Sequence, residues 1–216
     1  MGGVLGVFSD EVVDDYMLVP DDLWPQVDFG DDDGTLPKTY RLKDVSRNDF
    51  GSTGSVSGKV ARGLVIHACT AHGIEADVPS VSGTCVHASI TEIVEQFHYE
   101  GIGAMKVKKN ADSIMRCIAA GYPVSVAIPV TAEIFEKIIE PPTSNNIFGM
   151  MPVMLYGYSS VSKKFAAFVP LSVCDEAIAV SFDHVTCDDA CDLYVIDVKE
   201  QDEVAEDSQN QEALFL

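Results

Sequence analysis

The sequence predicts an α+β fold in which a helical half, residues 38–120, precedes a strand-rich half, residues 121–196. Apolar residues recur at helical spacing in the first half. Short runs rich in β-branched and aromatic residues, separated by polar stretches, fill the second half. The 216 residues, 47% of them hydrophobic, are enough for one compact or two-lobed domain with a proper core.

Each predicted element has local signals for its position. The predicted helices are 59–72, 88–98 and 110–120. Asn110 is a candidate N-cap of the third helix, and Gly73 and Gly121 stand where helices commonly end. The predicted strands are 124–130, 151–158, 165–169, 177–182 and 193–197. The basic run at residues 106–109 is predicted as the solvated edge of a strand-like segment.

Charge divides the chain into a central domain, residues 38–196, and two acidic arms, residues 1–37 and 197–216. Acids outnumber bases 34 to 14, for a net charge of −20 at pH 7, which argues against nucleic acid as a partner. The first arm holds ten acids and no Lys or Arg, together with Trp24 and Phe29. These two aromatic residues are expected either to anchor the arm to a partner protein or to pack on their own domain.

The chain shows no apolar run long enough to span a bilayer and no secretory signal peptide. An intracellular, cytoplasmic location is therefore expected, in which the six cysteines would be free thiols. Pairing of some of these cysteines stays an open alternative. Gly2 permits N-myristoylation, although Gly6 stands where Ser or Thr is preferred.

Residues 149–158 read GMMPVMLYGY. This pattern resembles the strand that carries the catalytic histidine in papain-like (cathepsin-type) cysteine peptidases, where Gly-Gly-His-Ala-Val is followed by apolar residues and Gly-Tyr. Met151 stands at the histidine position. A thioether cannot exchange a proton near neutral pH, so Met151 cannot act as the general base that thiolate chemistry needs.

The resemblance extends from about residue 40 to 196 through weak matches that occur in the family's order. It implies a papain-like fold, in which a helical lobe is followed by an antiparallel β-barrel-like lobe. The other matching segments are 51–57 with the helix after it, 73–79, 114–130, 140–146 and 182–196.

The same resemblance leaves the whole catalytic triad unfilled. The asparagine position reads Val-Pro-Leu-Ser at residues 169–172. The preferred register has no nucleophile segment at all, whereas the other register places Val56 at the cysteine and Phe50 at the oxyanion-hole glutamine. Either register implies an inactive cysteine peptidase homologue with no catalytic residue and no cofactor.

Two other groups of residues were weighed as sites. Cys85, in SGTCVH at residues 82–87, precedes a predicted helix, so an active cysteine peptidase using Cys85 is the less favoured alternative. Cys187 and Cys191 lie four residues apart, near Cys174 and His184. Zinc sites usually combine two such ligand pairs, so no metal is predicted.

The sequence therefore predicts a non-catalytic papain-like pseudo-peptidase that acts as a structural or protein-interaction module. A minor structural (capsid) protein of a large DNA virus fits this description, with the two arms contacting other proteins of the assembly. The alternative is a regulatory pseudo-peptidase that binds peptides or an active peptidase.

Overall fold

The computed structural model describes residues 36–43, 45–97, 102–130, 138–139, 147, 149–170 and 177–198. Predictions on residues 1–35 and 199–216, which include most of both arms, lie outside the described residues. The helices are α1 (Val56–Ala71), α2 (Val86–Phe97), α3 (Ala111–Ala119) and α4 (Phe182–Thr186), with a 3-10 turn at Arg47–Phe50. The strands are β1 (Thr39–Arg41), β2 (Ile102–Val107), β3 (Val124–Val130), β4 (Ile138–Ile139), β5 (Gly149–Ser159), β6 (Lys164–Phe168), β7 (Ile178–Ser181) and β8 (Leu193–Val198).

The helix boundaries follow from short polar side chains that cap the N-termini. The Ser55 hydroxyl accepts the backbone N–H of Gly58, so α1 begins three residues earlier than predicted. The side chain of Asn110 accepts the N–H of Ser113, which confirms Asn110 as the N-cap of α3. Ser181 caps α4 in the same way, and for that reason Phe182 begins a helix instead of ending the predicted strand.

The strands form one sheet in the order β2-β8-β3-β5-β6-β7-β4, with β1 paired to β5. All pairs are antiparallel except β4 with β7. The predicted strand 124–130 coincides with β3, whereas β1, β2 and β4 were not among the predicted strands. β2 ends the sheet order, and Lys106 on it is exposed and pairs with Asp192 at 3.0 Å. β8 runs to Val198, two residues beyond the predicted end of the domain.

Two apolar clusters form the core. One joins the sheet to α3 and contains Met151, Val153 and Leu155 of β5. The other joins α1 and α2 to the sheet and contains Met154 of β5 and Ile196 of β8. Because side chains alternate along a strand, β5 supplies both clusters.

A β-bulge in β5 changes this alternation. Leu155 pairs with Ala167 on β6, and Gly157 pairs with Ala166, so Tyr156 is the extra residue. Odd-numbered residues of β5 face the first cluster before the bulge, and Tyr156 and Tyr158 join the same cluster after it. After the bulge Tyr158, an even-numbered residue, lies on the side of the sheet on which Met151 lies, whereas the Tyr156 ring stacks on Phe168 at a centroid distance of 4.3 Å.

Candidate functional site

Met151 lies near the start of β5, directly opposite Ile128 of β3. Its side chain is buried in the apolar cluster that also holds Val153 and Leu155. The residue at the position that resembles the family's catalytic histidine is therefore part of the hydrophobic core, a common place for a methionine.

The start of α1 is held by the loop at residues 81–83. The Ser55 N–H donates to the Val81 carbonyl at 3.2 Å, and the Ser55 hydroxyl donates to the Gly83 carbonyl at 2.9 Å. A Cβ on Gly58 would lie 2.0 Å from the Val81 carbonyl oxygen, so this close approach requires glycine. The loop thus lies directly against the first turn of the helix.

Val56, half-buried, is the first residue of α1, and α1 packs against β3, β5 and β8. Phe50, just upstream, is buried with its ring edge-on to Phe168 at a centroid distance of 5.7 Å. Residues 51–55 therefore form a capped turn into a helix that packs on the sheet. In the second register of the sequence analysis, Val56 is accordingly the first residue of this helix.

The position that resembles the family's asparagine follows β6. Val169 and Pro170 are both buried there, whereas residues 171 and 172 lie outside the described part of the chain. Neither Val169 nor Pro170 can offer the side-chain amide that the family uses to orient its histidine.

The described buried histidines have backbone partners. Nε2 of His67 lies 2.8 Å from the Gly121 carbonyl oxygen, and Nε2 of His184 lies 2.9 Å from that of Pro129. The Cys187 thiol donates to the backbone carbonyl of His184 at 3.1 Å. These contacts tie histidines to the scaffold; His98 and Cys174 lie outside the described residues.

Cys85 lies immediately before α2, and its sulfur accepts the N–H of Ala88 at 3.4 Å. The ring of His87 packs against Tyr194 of β8 at a centroid distance of 5.5 Å. Burial lowers the pKa of His87, so this imidazole is neutral at pH 7 and cannot stabilise a thiolate by its charge.

Cys191 lies just before β8, where its backbone N–H donates to the Ala127 carbonyl at 2.9 Å. The pKa of Cys191 is raised mainly by burial, with Lys109 opposing and Asp192 and Cys85 adding to the rise. Burial, Asp192, Cys85 and Cys191 together raise the pKa of Tyr194 to about 12. Sequence reasoning identified Cys85 and Cys191 separately and gave no signal for the packing of His87 against Tyr194.

Among the described residues, no group of three or more His, Cys, Asp or Glu side chains could hold a metal ion. Cys187, Cys191 and His184 therefore do not form such a group, and Cys174 lies outside the described residues. No described helix has the length and apolar character needed to cross a membrane.

Comparison with known proteins identifies the class of fold. No family model and no curated protein matches the sequence. Among solved structures, xylellain, a cysteine protease from Xylella fastidiosa, aligns with a TM-score of 0.62 and 12% identity over 77% of this chain and 88% of its own. The bromelain protease from Ananas comosus, in complex with the E64 inhibitor, aligns with a TM-score of 0.36 and 14% identity over 74% and 85%.

The likeness to xylellain confirms the predicted papain-like α+β fold. At 12% identity it shows the fold alone, and the bromelain alignment adds no argument to it. The chemistry of this chain therefore has to be argued from its own residues.

Proposed function

We propose that this chain is a papain-like protein without cysteine peptidase activity, and that it acts through contacts with other proteins. In this proposal Val56 takes the nucleophile position, Met151 the position of the general base, and residues 169–172 the asparagine position. The observation that carries the proposal is the burial of Met151 in the core cluster of β5.

The chemical argument is that peptide hydrolysis by a cysteine enzyme needs a thiolate beside a proton acceptor. Valine offers no nucleophile and a thioether accepts no proton, so this pair cannot form an acyl-enzyme. The loop at residues 81–83 also lies against the first turn of α1, the place where a substrate carbonyl would meet the nucleophile.

The activity test uses the full chain, a mixed peptide library and an epoxide that alkylates activated thiols. We expect no hydrolysis above the blank and slow labelling of any exposed thiol. Hydrolysis at a rate that depends on the protein concentration would contradict the proposal, whatever residue carried it.

The second candidate is an enzyme that uses Cys85. The position of its sulfur at the N-terminus of α2, where it accepts the Ala88 N–H, favours it. Cys85→Ser keeps an oxygen that can accept the Ala88 N–H, so this variant should fold normally. Activity that is lost in Cys85→Ser and kept in Cys187→Ser would establish the second candidate.

We further propose that the protein is an intracellular component of a large assembly such as a virion, contacting its partners through residues 1–37 and 197–216. The ten acids without a single Lys or Arg in the first arm support this, because such a segment suits a basic partner surface. The other proposal is a regulatory pseudo-peptidase that binds peptides or an active peptidase.

Cross-linking mass spectrometry on the native particle or lysate separates these two proposals. Abundant cross-links from both arms to one repeating, stoichiometric partner support the structural role. Arms that link only to their own domain, together with links from the neighbourhood of Met151 to a peptide or peptidase, support the regulatory role and exclude the structural one.

A further inference from the structure

A pocket of about 610 Å³ lies at the end of β5 that is remote from Met151. The strand register places Arg41, Gly157, Ala166 and Ala179 opposite one another on β1, β5, β6 and β7. Residues in such a row share one face of the sheet, and a Cβ on Gly157 would lie 3.4 Å from that of Ala166. Arg41, Ala166 and Ala179 line the pocket, so it opens on this face over a floor of small side chains.

The neighbouring residues of the same strands face the other way. Tyr158 of β5 and Phe165 of β6 stand opposite each other and belong to the core cluster that contains Met151. Because side chains alternate along a strand, they lie on the far side of the sheet from Arg41. A group that enters the pocket on this face therefore meets Arg41 and the alanines, and not the Tyr158 hydroxyl.

Arg41 is a cation that is held in place and still has hydrogen bonds to donate. Its Nη2 group donates to the Tyr156 hydroxyl at 2.7 Å, and its guanidinium carbon lies 4.8 Å from the Tyr156 ring centre. A guanidinium has several further N–H groups, which remain for a carboxylate. Lys164 also lines the pocket but has an interaction of its own, and no acidic side chain lines it among the described residues. The pocket thus suits an apolar group with a carboxylate beside it.

The chain itself contains such a group a short distance before β1. Residues 21–24 read Asp-Asp-Leu-Trp, and Trp24 precedes Thr39, which lines the pocket, by fifteen residues. That length of chain spans up to about 50 Å, far more than the pocket requires. The tether gives the segment an effective concentration on the order of millimolar. A separate acidic partner would instead be repelled by the net charge of −20.

We propose that residues 21–24 dock into this pocket. The Trp24 indole lies over Ala166 and Ala179, and the carboxylate of Asp21 or Asp22 accepts hydrogen bonds from the Arg41 guanidinium. Of the two roles that the sequence leaves open for Trp24, this assigns it to packing on its own domain. The docking does not depend on the lack of peptidase activity, and a basic partner surface would compete with it for the same acids.

Trp24 is the single tryptophan of the chain, so its fluorescence tests the docking in the full chain. We expect its emission to lie to the blue of that of the urea-unfolded chain and to be protected from acrylamide quenching. Asp21→Asn combined with Asp22→Asn should lower the ratio of docked to free segment at least about tenfold, the loss of a charge-assisted hydrogen bond. Asp31→Asn combined with Asp32→Asn removes the same charge from the same arm, and this matched control should keep the protection.

Variants of the pocket test the location of the docked segment. Arg41→Met should expose Trp24 to acrylamide as the first arm variant does, and Ala179→Glu should do so by placing a bulky acid on the pocket floor. Val161→Glu is the control, because Val161 is 73% exposed and does not line the pocket. Thermal melts show whether each variant is folded, and the arm variants keep the test decisive if a pocket variant is not.

Three results would overturn the proposal. The first is a wild-type Trp24 that is quenched as readily as in the unfolded chain. The second is protection that persists in the Asp21 and Asp22 variant, or in both Arg41→Met and Ala179→Glu. The third is protection that falls as the protein is diluted, which would assign the pocket to the arm of a second copy.

Discussion

The two ends of β5 differ in chemistry although they belong to one strand and face one core cluster. At the first end, Met151 is buried opposite Ile128 among apolar neighbours. At the second end, the bulge at Tyr156 and the pairing with β1 bring Arg41, Tyr156 and Tyr158 around a pocket. The first end is where the resemblance to peptidases places the catalytic histidine. The second end holds the buried Tyr158 hydroxyl, which has no hydrogen-bond partner.

This difference teaches that the resemblance and the functional surface need not coincide on the same fold. If the chain has no cysteine peptidase activity, as proposed above, the strand needs no proton acceptor at Met151 and can fill that position with a core side chain. The bulge then gives β5 an end that carries two phenols, since Tyr156 is its extra residue and Tyr158 follows it.

The largest expected effect comes from placing a charged side chain at the Met151 end of β5. Met151→Asp should lower the free energy of unfolding by about 3 kcal/mol or more, because the carboxylate is buried without a partner. Urea denaturation followed by circular dichroism measures the change. Val161→Asp is the control, because Val161 is 73% exposed and a change there should stay within about 0.5 kcal/mol.

Equal losses in the free energy of unfolding for Met151→Asp and Val161→Asp would contradict the difference drawn between the two ends of β5. They would mean that the Met151 end is open to water, and a cleft that could hold substrate would then have to be considered there.

The second expected effect concerns how β1 closes the pocket. A Cβ on Gly157 would lie 2.9 Å from the backbone oxygen of Tyr40, so Gly157→Ala forces β1 away from β5. We expect a loss of about 1–3 kcal/mol in the free energy of unfolding. Gly103→Ala on β2 is the matched control, because a Cβ there meets nothing within 4 Å. A loss in both variants, or in neither, would show that the approach of β1 is not what shapes the pocket.

The sequence predicted those parts of the fold whose causes are local. Strand β3 and the cap at Asn110 follow from a run of apolar β-formers and from a polar side chain before a helix. Strand β1 has three residues, too few to show a period, and its pairing with β5 joins residues as far apart as Arg41 and Tyr156. Non-local pairing of this kind leaves no trace in a short window.

The residues of the candidate site were likewise predicted only where a local sequence motif marks them. Met151 was identified because a motif surrounds it, and the structure places it in the core. The bulge at Tyr156 could not be predicted, because the extra residue exists only relative to its partner β6. The packing of His87 against Tyr194 likewise depends on how the start of α2 meets β8, which the sequence does not specify locally.

The smallest expected effect is a change of stability with pH that comes from Tyr156 and Tyr158 at the second end of β5. Burial raises the pKa of Tyr156, against the lowering effect of Arg41, and burial also raises the pKa of Tyr158. Below pH 10 both phenols are protonated in the folded and the unfolded chain. Above pH 10 the unfolded chain releases these protons first, so stability should fall as pH rises, by at most about 1.4 kcal/mol per pH unit for each proton.

Urea midpoints measured between pH 9 and 11 in the wild type and in Tyr158→Phe isolate the contribution of one phenol. The variant should lose stability less steeply above pH 10, because phenylalanine has no proton to release. Tyr194→Phe provides the comparison from outside the pocket, since the pKa of Tyr194 is raised to about 12 and its effect should persist to higher pH. Identical slopes in Tyr158→Phe and the wild type would mean that Tyr158 ionises as readily in the folded chain as in the unfolded one. Its hydroxyl would then be in contact with water. The contrast between an apolar end of β5 at Met151 and an end with a buried, unpaired hydroxyl at Tyr158 would then no longer hold.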